Sequence, residues 1–236
     1  MRRDFIKGAI ALAAAVASAP AAAQFGLPGG GGGLPIPGLG GGGGGGFTAA
    51  ATGLTTNLKT ALYNQVMAIA LIQDAMGDKK KATAIRSQAA AIQAMKTPSK
   101  DPMEKTLKVI EQNPINREGL ARVNDAEGKK KVAQAQGHMD VVIVYNGLAL
   151  ISAGLMIKEK PGPQDIAGAP AILEAAQFAL TAIPTQTDNA KKFNDAMNSF
   201  MKENNVPKLS NGEKAALAKK TDPKASADAI SKAGGV

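Results

Sequence analysis

Residues 141–157 read VVIVYNGLALISAGLMI, and this run decides the fold more than any other part of the chain. Only Tyr145, Asn146 and Ser152 place polar groups in it. It is shorter than the roughly 20 residues that a helix needs to span a bilayer. A helix that neighbours cover on every side has the same composition. Because the run is short and Asn146 lies in its middle, the sequence favours the central helix of a bundle over a transmembrane span.

Two glycines in this run, Gly147 and Gly154, lie seven residues apart and therefore share one face of a helix. Glycine has no side chain, so the spacing predicts that a neighbouring helix approaches closely there. Ile151 is expected to be buried, and Tyr145 and Asn146 are expected to find polar partners within the bundle or at its edge.

Apolar residues elsewhere recur every three or four positions, which is the spacing of amphipathic helices. One such stripe consists of Leu54, Leu58, Leu62, Val66, Ile69, Ile72 and Met76. Another consists of Phe193, Ala196, Met197, Phe200 and Met201. Alternation with a period of two residues is nearly absent. The sequence therefore predicts an all-α fold, a helical bundle of about four main helices with short accessory helices.

Glycine, proline and capping residues divide these patterns into helices. Helix ends are predicted at Gly77, Thr97-Pro98, Asn113-Pro114 and Pro184. Helix starts are predicted at Asp78, at Asp101 with Pro102 and Glu104 completing a capping pattern, at Asp188, and at Ser210 with Glu213. The bundle is expected over residues 47–206, and residues 207–236 are expected to form short helices and a loose C-terminal tail.

The N-terminus reads MRRDFIKGAIALAAAV, a basic start followed by a short apolar run, and Ala21-Ala22-Ala23 comes after it. This order of segments is typical of a secretory signal peptide. The core Arg2-Arg3-Asp4-Phe5-Ile6-Lys7 resembles the twin-arginine export motif, which is read by a receptor. An ordinary general-secretory signal is the alternative. Residues 1–23 are predicted to be a signal peptide of twin-arginine type, and a bacterial protein in the periplasm or outside the cell is expected.

Residues 24–46 are rich in glycine and proline, with glycine blocks at 29–33 and 40–46. Such a composition is costly in conformational entropy to order, so a disordered, flexible linker is predicted. It contains no nucleotide-binding loop, because the second block ends Gly46-Phe47-Thr48 without the Lys-Ser/Thr that such a loop requires. A weaker possibility is that the apolar residues of this segment form a partner-binding peptide.

The composition excludes several kinds of site. The chain has no Cys, no Trp and one His, which excludes thiolate zinc sites, iron–sulfur clusters, covalently attached c-type haem and cysteine nucleophiles. Aromatic residues are only 3% of the chain, so few are present to stack on bases. Together with the predicted export, this composition indicates no nucleic-acid partner.

One tripeptide, His138-Met139-Asp140, places a nitrogen ligand beside a thioether. The chain also carries Met67, Met76, Met95, Met103, Met156, Met197 and Met201. Thioether and imidazole ligands suit copper(I) or haem, so a small periplasmic metal or cofactor carrier is the alternative function. Methionines on apolar stripes are also ordinary core residues. No metal-binding or cofactor-binding residue is assigned, and no cofactor is expected.

Catalytic patterns are missing from the sequence. There is no nucleophile elbow and no Glu-x-x-His pair, and Glu104, Glu111, Glu118 and Glu174 lie among lysines and arginines. No catalytic residue is assigned, and the protein is not expected to be an enzyme.

The chain is basic, with a formal net charge of +9. Its lysines form short runs at Lys79–Lys81, Lys129–Lys131, Lys191-Lys192 and Lys219-Lys220, which predict at most weak contact with anionic surfaces. The function expected from the sequence is that of an exported, non-enzymatic envelope protein. It would act as a partner-binding or structural accessory module for another envelope protein.

Overall fold

The structure is a computed structural model, and it describes residues 46–162, residue 165 and residues 167–233. The predicted signal peptide and nearly all of the predicted linker lie outside the described residues. No strand occurs among the described residues, and the all-α prediction is confirmed.

The described chain folds into helices of very different lengths. In chain order they are α1 (Gly46–Ala75), α2 (Lys79–Gln93), α3 (Lys100–Gln112), α4 (Arg117–Leu120), α5 (Ala126–Lys158), α6 (Ala169–Glu203), α7 (Asn211–Ala218) and α8 (Ala227–Ala233). The three helices α1, α5 and α6 have 30, 33 and 35 residues and form the body of the bundle.

Helices α1 and α5 share the most extensive contact in the molecule and run antiparallel. At one end, Asp74 of α1 lies 3.4 Å from the ammonium group of Lys131 near the start of α5. At the other end, the first residue of α1, Gly46, lies against the carboxylate of Glu159, the C-cap of α5. Because the N-terminus of a helix carries partial positive charge, this carboxylate stabilises the start of α1.

The core contains both predicted apolar stripes. From the first, Leu54, Leu58, Leu62, Ile69 and Ile72 are at most 1% exposed. From the second, Phe193, Met197, Phe200 and Met201 are buried on α6. Both predicted stripes are therefore confirmed as core-facing.

The predicted start of α3 is wrong by two residues. Asp101 was expected to be the N-cap, but the helix begins at Lys100 after Ser99, whose side chain makes no capping hydrogen bond. The first four N–H groups of a helix have no partner within it, so a proline is tolerated at any position of the first turn. Pro102 therefore does not determine which residue is the N-cap. By contrast, the capping box of Ser210 and Glu213 at the start of α7 is confirmed.

The predicted helix end at Pro184 and the predicted cap at Asp188 are both wrong. Helix α6 continues from Ala169 to Glu203 with Pro184 inside it. A proline in a helix interior costs about 3 kcal/mol, because it removes one hydrogen bond and crowds the preceding turn. Ile183 and Thr187 are buried on either side while Pro184 itself is exposed. Packing on both sides of the proline outweighs this cost.

The glycines of α5 differ in how closely other residues approach them, and the close approaches are not at the predicted positions. A Cβ atom built on Gly137 would lie 2.6 Å from Cδ1 of Leu209, and one on Gly128 would lie 2.7 Å from Cγ1 of Val123. A Cβ atom on Gly147 or Gly154 would meet nothing within 4 Å among the described residues. The close approach predicted at Gly147 and Gly154 is therefore wrong, and close approaches occur at Gly128 and Gly137.

The segment after α6, expected to end in a loose tail, packs against α5 as far as Ile230. Ala215, Ala218, Ala225 and Ile230 form a second hydrophobic cluster with Val141, Val144 and Tyr145 of α5 and with Ala61 of α1. Three polar contacts hold this segment in place. The hydroxyl of Tyr145 donates to Asp222 at 2.8 Å, Lys214 pairs with Asp140 at 2.7 Å, and Thr221 donates to Thr60 at 3.0 Å.

Candidate functional site

The candidate site is the outer side of the C-terminal half of α5. Ile143, Gly147, Leu150, Gly154 and Ile157 are spaced alternately by four and three residues, so they follow one line along the helix. Ile151 and Leu155 lie beside this line. These seven residues are called the open face.

Except for Gly147, which is buried, the residues of the open face are incompletely covered by the rest of the described chain. Ile157 is 39% exposed, and Ile143, Leu150, Ile151 and Leu155 are half-buried. Ile151 and Leu155 belong to neither hydrophobic cluster of the described bundle. The expectation that Ile151 is buried is therefore wrong, because neighbouring helices do not surround this half of α5.

The glycines of the open face leave room for another chain. Neither Gly147 nor Gly154 has a described atom within 4 Å of the place where its Cβ would lie. A surface with apolar side chains around two glycine gaps allows the backbone or a side chain of a partner to come close to the helix. The open face is therefore suited to receive an apolar segment.

Two polar pairs lie on the opposite, inner side of α5, where it contacts α1. The amide of Asn57 donates to Ser152 at 3.0 Å, and Nδ1 of His138 lies 2.7 Å from the amide oxygen of Asn64. Asn146 is 1% exposed, yet neither its amide nitrogen nor its amide oxygen has a partner among the described residues. The partner predicted for Asn146 is absent from the described chain, while the one predicted for Tyr145 is Asp222.

The three residues of the predicted metal-ligand candidate face different surroundings. His138 contacts Asn64, and Met139 is fully buried in the main hydrophobic cluster. Asp140 accepts hydrogen bonds from Asn194 and from Gln136, each at 2.8 Å, and pairs with Lys214. The fold therefore does not bring these three side chains to one point.

Burial also controls the protonation of His138. Desolvation lowers the pKa of His138 from 6.5 to about 3, and the positive charge of Lys220 adds to the shift. A neutral imidazole with its Nδ1 proton donated to Asn64 fits this surrounding. His138 is thus a buried structural side chain in the described fold.

Most methionines serve the core. Met103, Met139, Met156, Met197 and Met201 are at most 2% exposed and belong to the main hydrophobic cluster. Among the residues that the structure describes, no group of three or more histidine or carboxylate side chains is placed to hold a metal ion. Two of the carboxylates considered from the sequence, Glu104 and Glu174, each lie 3.5 Å from the ammonium group of Lys100.

Two of the lysine runs meet at the end of the bundle opposite to Gly46. Lys79–Lys81 begin α2, and Lys129–Lys131 lie in the first turns of α5. Asp74 joins the two helices, because it pairs with Arg86 at 2.7 Å and with Lys131 at 3.4 Å. The hydrogen bond from Arg86 and the charge of Lys131 hold the pKa of Asp74 below its usual value. The resulting surface is basic, with exposed lysines in both runs.

A cleft of about 580 Å³ lies beside the first turns of α1. Its wall includes Thr52, Thr55 and Lys59 of α1, Lys96 from the loop after α2, and Ile172 of α6. Thr55 donates to the carbonyl oxygen of Ala51 at 2.7 Å, so its hydroxyl proton is already used within the helix. The cleft is open and partly polar, and its residues do not form a recognisable catalytic or metal-binding group.

One helix of the described chain, α5, is long and apolar enough to cross a membrane. Half of its most apolar window is buried inside the protein. The core helix of a soluble protein passes the same test, so length and hydropathy do not distinguish the two environments. Leu150, Ile151, Gly154 and Leu155 of the open face are among the residues of α5 that are not buried.

Searches against protein-family models, curated proteins and solved structures give no significant match to this chain. The functional assignment therefore depends on the residues and contacts of this molecule alone.

Sequence reasoning singled out the apolar run of α5 but missed the open face within it. The alternating spacing of four and three from Ile143 to Ile157 was present in the sequence and marks one side of the helix. The segment after α6 packs over Gly137, Tyr145 and Leu148, which lie on another side of the helix, so it does not cover this line.

Proposed function

We propose that this protein is exported from a bacterial cytoplasm and acts in the envelope, without enzymatic activity, as a partner-binding or structural accessory module. The open face of α5 is its docking surface for another envelope protein. The basic end formed by Lys79–Lys81 and Lys129–Lys131 adds weak attraction to anionic surfaces, which salt would screen.

The observation that carries this proposal is the open face itself. An isoleucine, Ile157, is 39% exposed in line with two glycines whose Cβ positions have no described atom within 4 Å. Contiguous apolar surface on a protein in water is usually a site of interaction. Glycine gaps favour a helix or an extended segment as the partner, because the partner backbone can approach the axis of α5.

Export is supported by the sequence of residues 1–23. The paired Arg2 and Arg3, the apolar run and the small residues before Gln24 have the order of a cleavable signal. A reporter fused to residues 1–30 tests the route. Replacing Arg2 and Arg3 with lysine should stop export by the twin-arginine pathway, and undiminished export would contradict that assignment.

Docking is tested by site-specific photo-crosslinking in intact cells. A benzophenone amino acid at Ile157 should give an adduct of defined mass with another envelope protein. The matched control carries the same group at Lys192, which is exposed on α6 away from the open face. Equal adducts from both positions, or none from Ile157, would contradict the proposed function.

A second variant separates docking from folding. Leu155→Asp changes a half-buried residue outside both hydrophobic clusters, so the melting temperature should change little. The adduct from Ile157 should nevertheless be lost, because a carboxylate in the docking surface must be desolvated without a partner. Retention of the adduct in a folded Leu155→Asp protein would place the interaction elsewhere.

A further inference from the structure

We propose that residues 25–39 of the same chain cover the open face of α5 and so compete with an external partner for it. This inference rests on the docking surface of the proposed function and adds its regulation. The occupant is thus a named segment that precedes the described residues.

The first argument is where that segment enters the bundle. The described chain begins at Gly46, which lies against the carboxylate of Glu159. Glu159 is the C-cap of α5, two residues beyond Ile157 at the end of the open face. The preceding residues therefore start at the end of α5 where the open face ends, on the side of α5 that contacts α1.

The second argument is reach. Residues 40–46 are seven consecutive glycines, which as a random coil span about 15 Å. From Ile157 to Ile143 the open face extends about 21 Å at 1.5 Å per residue. The run Leu34-Pro35-Ile36-Pro37-Gly38-Leu39 spans about 19 Å in the extended conformation that proline favours. The glycines allow the chain to turn, and the proline-containing run matches the surface in length.

The third argument is chemistry. Residues 24–45 include no charged side chain, and their large side chains are Phe25, Leu27, Leu34, Ile36 and Leu39 besides Gln24 and the prolines. The open face consists of isoleucine, leucine and glycine. Proline restricts the free segment, so less conformational entropy is lost on docking. Covalent attachment through a short linker raises the effective concentration into the millimolar range, so a weak interaction suffices.

The cleft beside α1 is a second surface near Gly46, but it suits this segment less well. Its wall carries Lys59, Lys96 and several threonine hydroxyls. An uncharged apolar segment would have to desolvate these groups without supplying charged partners. The open face has no such cost, because its seven residues carry no polar side chain.

Cysteine labelling tests the proposal, because the chain has no cysteine of its own. Ile157→Cys is introduced into the chain from Gln24, and its rate of reaction with a maleimide is measured. The rate should rise about tenfold when residues 24–39 are deleted, since the docked segment blocks access for most of the time. The triple change Leu34→Asp, Ile36→Asp and Leu39→Asp should give the same increase in the otherwise intact chain.

Two further substitutions serve as controls. The thiol of Lys192→Cys on α6 should react equally fast in all three chains. Thr52→Cys reports on the cleft beside α1, where Thr52 is exposed. Protection of the thiol at position 52 in place of the thiol at position 157 would overturn the proposal in favour of the cleft. Protection at position 157 that rises with protein concentration and persists after the deletion would overturn it in favour of a second copy.

Equal labelling rates of Ile157→Cys with and without residues 24–39 would also overturn the proposal. That result leaves the photo-crosslinking test of the proposed function untouched, because an external partner does not require a covered surface. Conversely, protection by the segment without any adduct in cells would support internal cover and contradict the docking function. The experiments can therefore contradict the internal cover and the proposed docking function independently of each other.

Discussion

The two halves of α5, divided after Tyr145, differ in sequence and in surroundings, because charged residues occur in the first half as far as Asp140 and none occurs in the second from Asn146 to Ile157. In the N-terminal half, Gly137 receives Leu209, Asp140 pairs with Lys214, and Tyr145 donates to Asp222. In the C-terminal half, Gly147 and Gly154 have no described neighbour at the Cβ position, and Ile157 is 39% exposed. From Val132 to Tyr145 the helix is buried on most of its sides, whereas the second half is buried less completely.

This difference shows that the hydropathy of a helix does not determine which of its residues the neighbouring elements bury. Residues 141–157 are apolar along their whole length apart from Tyr145, Asn146 and Ser152, yet the segment after α6 reaches only the first part of them. Apolar side chains that stay partly in water cost free energy, at roughly 25 cal/mol per Å² of exposed area. A further contact therefore gains the most free energy where apolar side chains of α5 are still partly exposed.

The largest effect that separates the halves is expected from lysine substitutions. Val142 is 0% exposed, so Val142→Lys would bury an unpaired charge and should abolish the folded state. Ile151 is half-buried, and a lysine there can extend its ammonium group into water. Ile151→Lys should therefore stay folded. Circular dichroism with thermal melting measures both.

Equal loss of structure in the two lysine variants would show that the C-terminal half is also enclosed. Equal retention would show that α5 is far more loosely packed than its burial indicates.

The second effect is acid destabilisation through His138 in the covered half. Its pKa falls from 6.5 to about 3 in the folded state because the ring is buried. The unfolded chain therefore binds a proton below pH 6.5 that the folded protein does not accept until about pH 3. The contribution of His138 to stability is fully present above pH 6.5 and falls as the pH decreases, by roughly 4 kcal/mol at pH 3.

Urea unfolding as a function of pH measures this dependence. Between about pH 6 and pH 4.5 the free energy of unfolding should fall by up to about 1.4 kcal/mol per pH unit more in the wild type than in His138→Gln. Both proteins contain the same carboxylates, such as Asp74. The difference between their two slopes therefore cancels the contribution of these groups. Parallel slopes in the two proteins would mean that His138 is accessible to protons in the folded state.

Local chemistry in the sequence predicted local structure well. The hydrogen bonds of the capping box at Ser210 and Glu213 are made within three residues, so tertiary packing has little influence on them. The stripe from Phe193 to Met201 was also predicted, because a spacing of three and four leaves one apolar side that must be buried.

Features that depend on distant residues could not be predicted in the same way. The contact of His138 with Asn64 spans 74 positions, and nothing near His138 indicates it. Pro184 has the local signature of a helix end, but packing on both sides of it continues α6. Gly137 and Gly147 are both glycines of α5, and the side chains of Leu209 and Leu217 lie near the Cβ position of Gly137 while no described atom lies near that of Gly147.

The third effect is expected where the C-terminal segment docks. Gly137→Val places atoms where Cδ1 of Leu209 now lies, 2.6 Å from the Cβ position. Leu209 must move, and overpacking of this kind costs about 1–3 kcal/mol. Hydrogen exchange of α7 should accelerate while that of α1 changes little, because the loss is local. Uniform acceleration throughout the bundle would show that the segment after α6 does not unfold separately.

The smallest effect is a gain in stability in the open half. Gly147→Ala adds a methyl group that meets nothing within 4 Å of the described chain, and alanine in a helix interior is more stable than glycine by about 0.5–1 kcal/mol. The free energy of unfolding in urea should rise by this amount in a chain that begins at Gly40. If residues 25–39 cover the open face, the gain should be smaller in the chain that begins at Gln24, because the methyl group then displaces the docked segment. Gly137→Ala is the matched control, since its added methyl group pushes against Leu209 and should cancel most of the same helical gain. A loss of stability from Gly147→Ala in the shorter chain would contradict the free space at Gly147, because a described neighbour would then have to lie against its Cβ position.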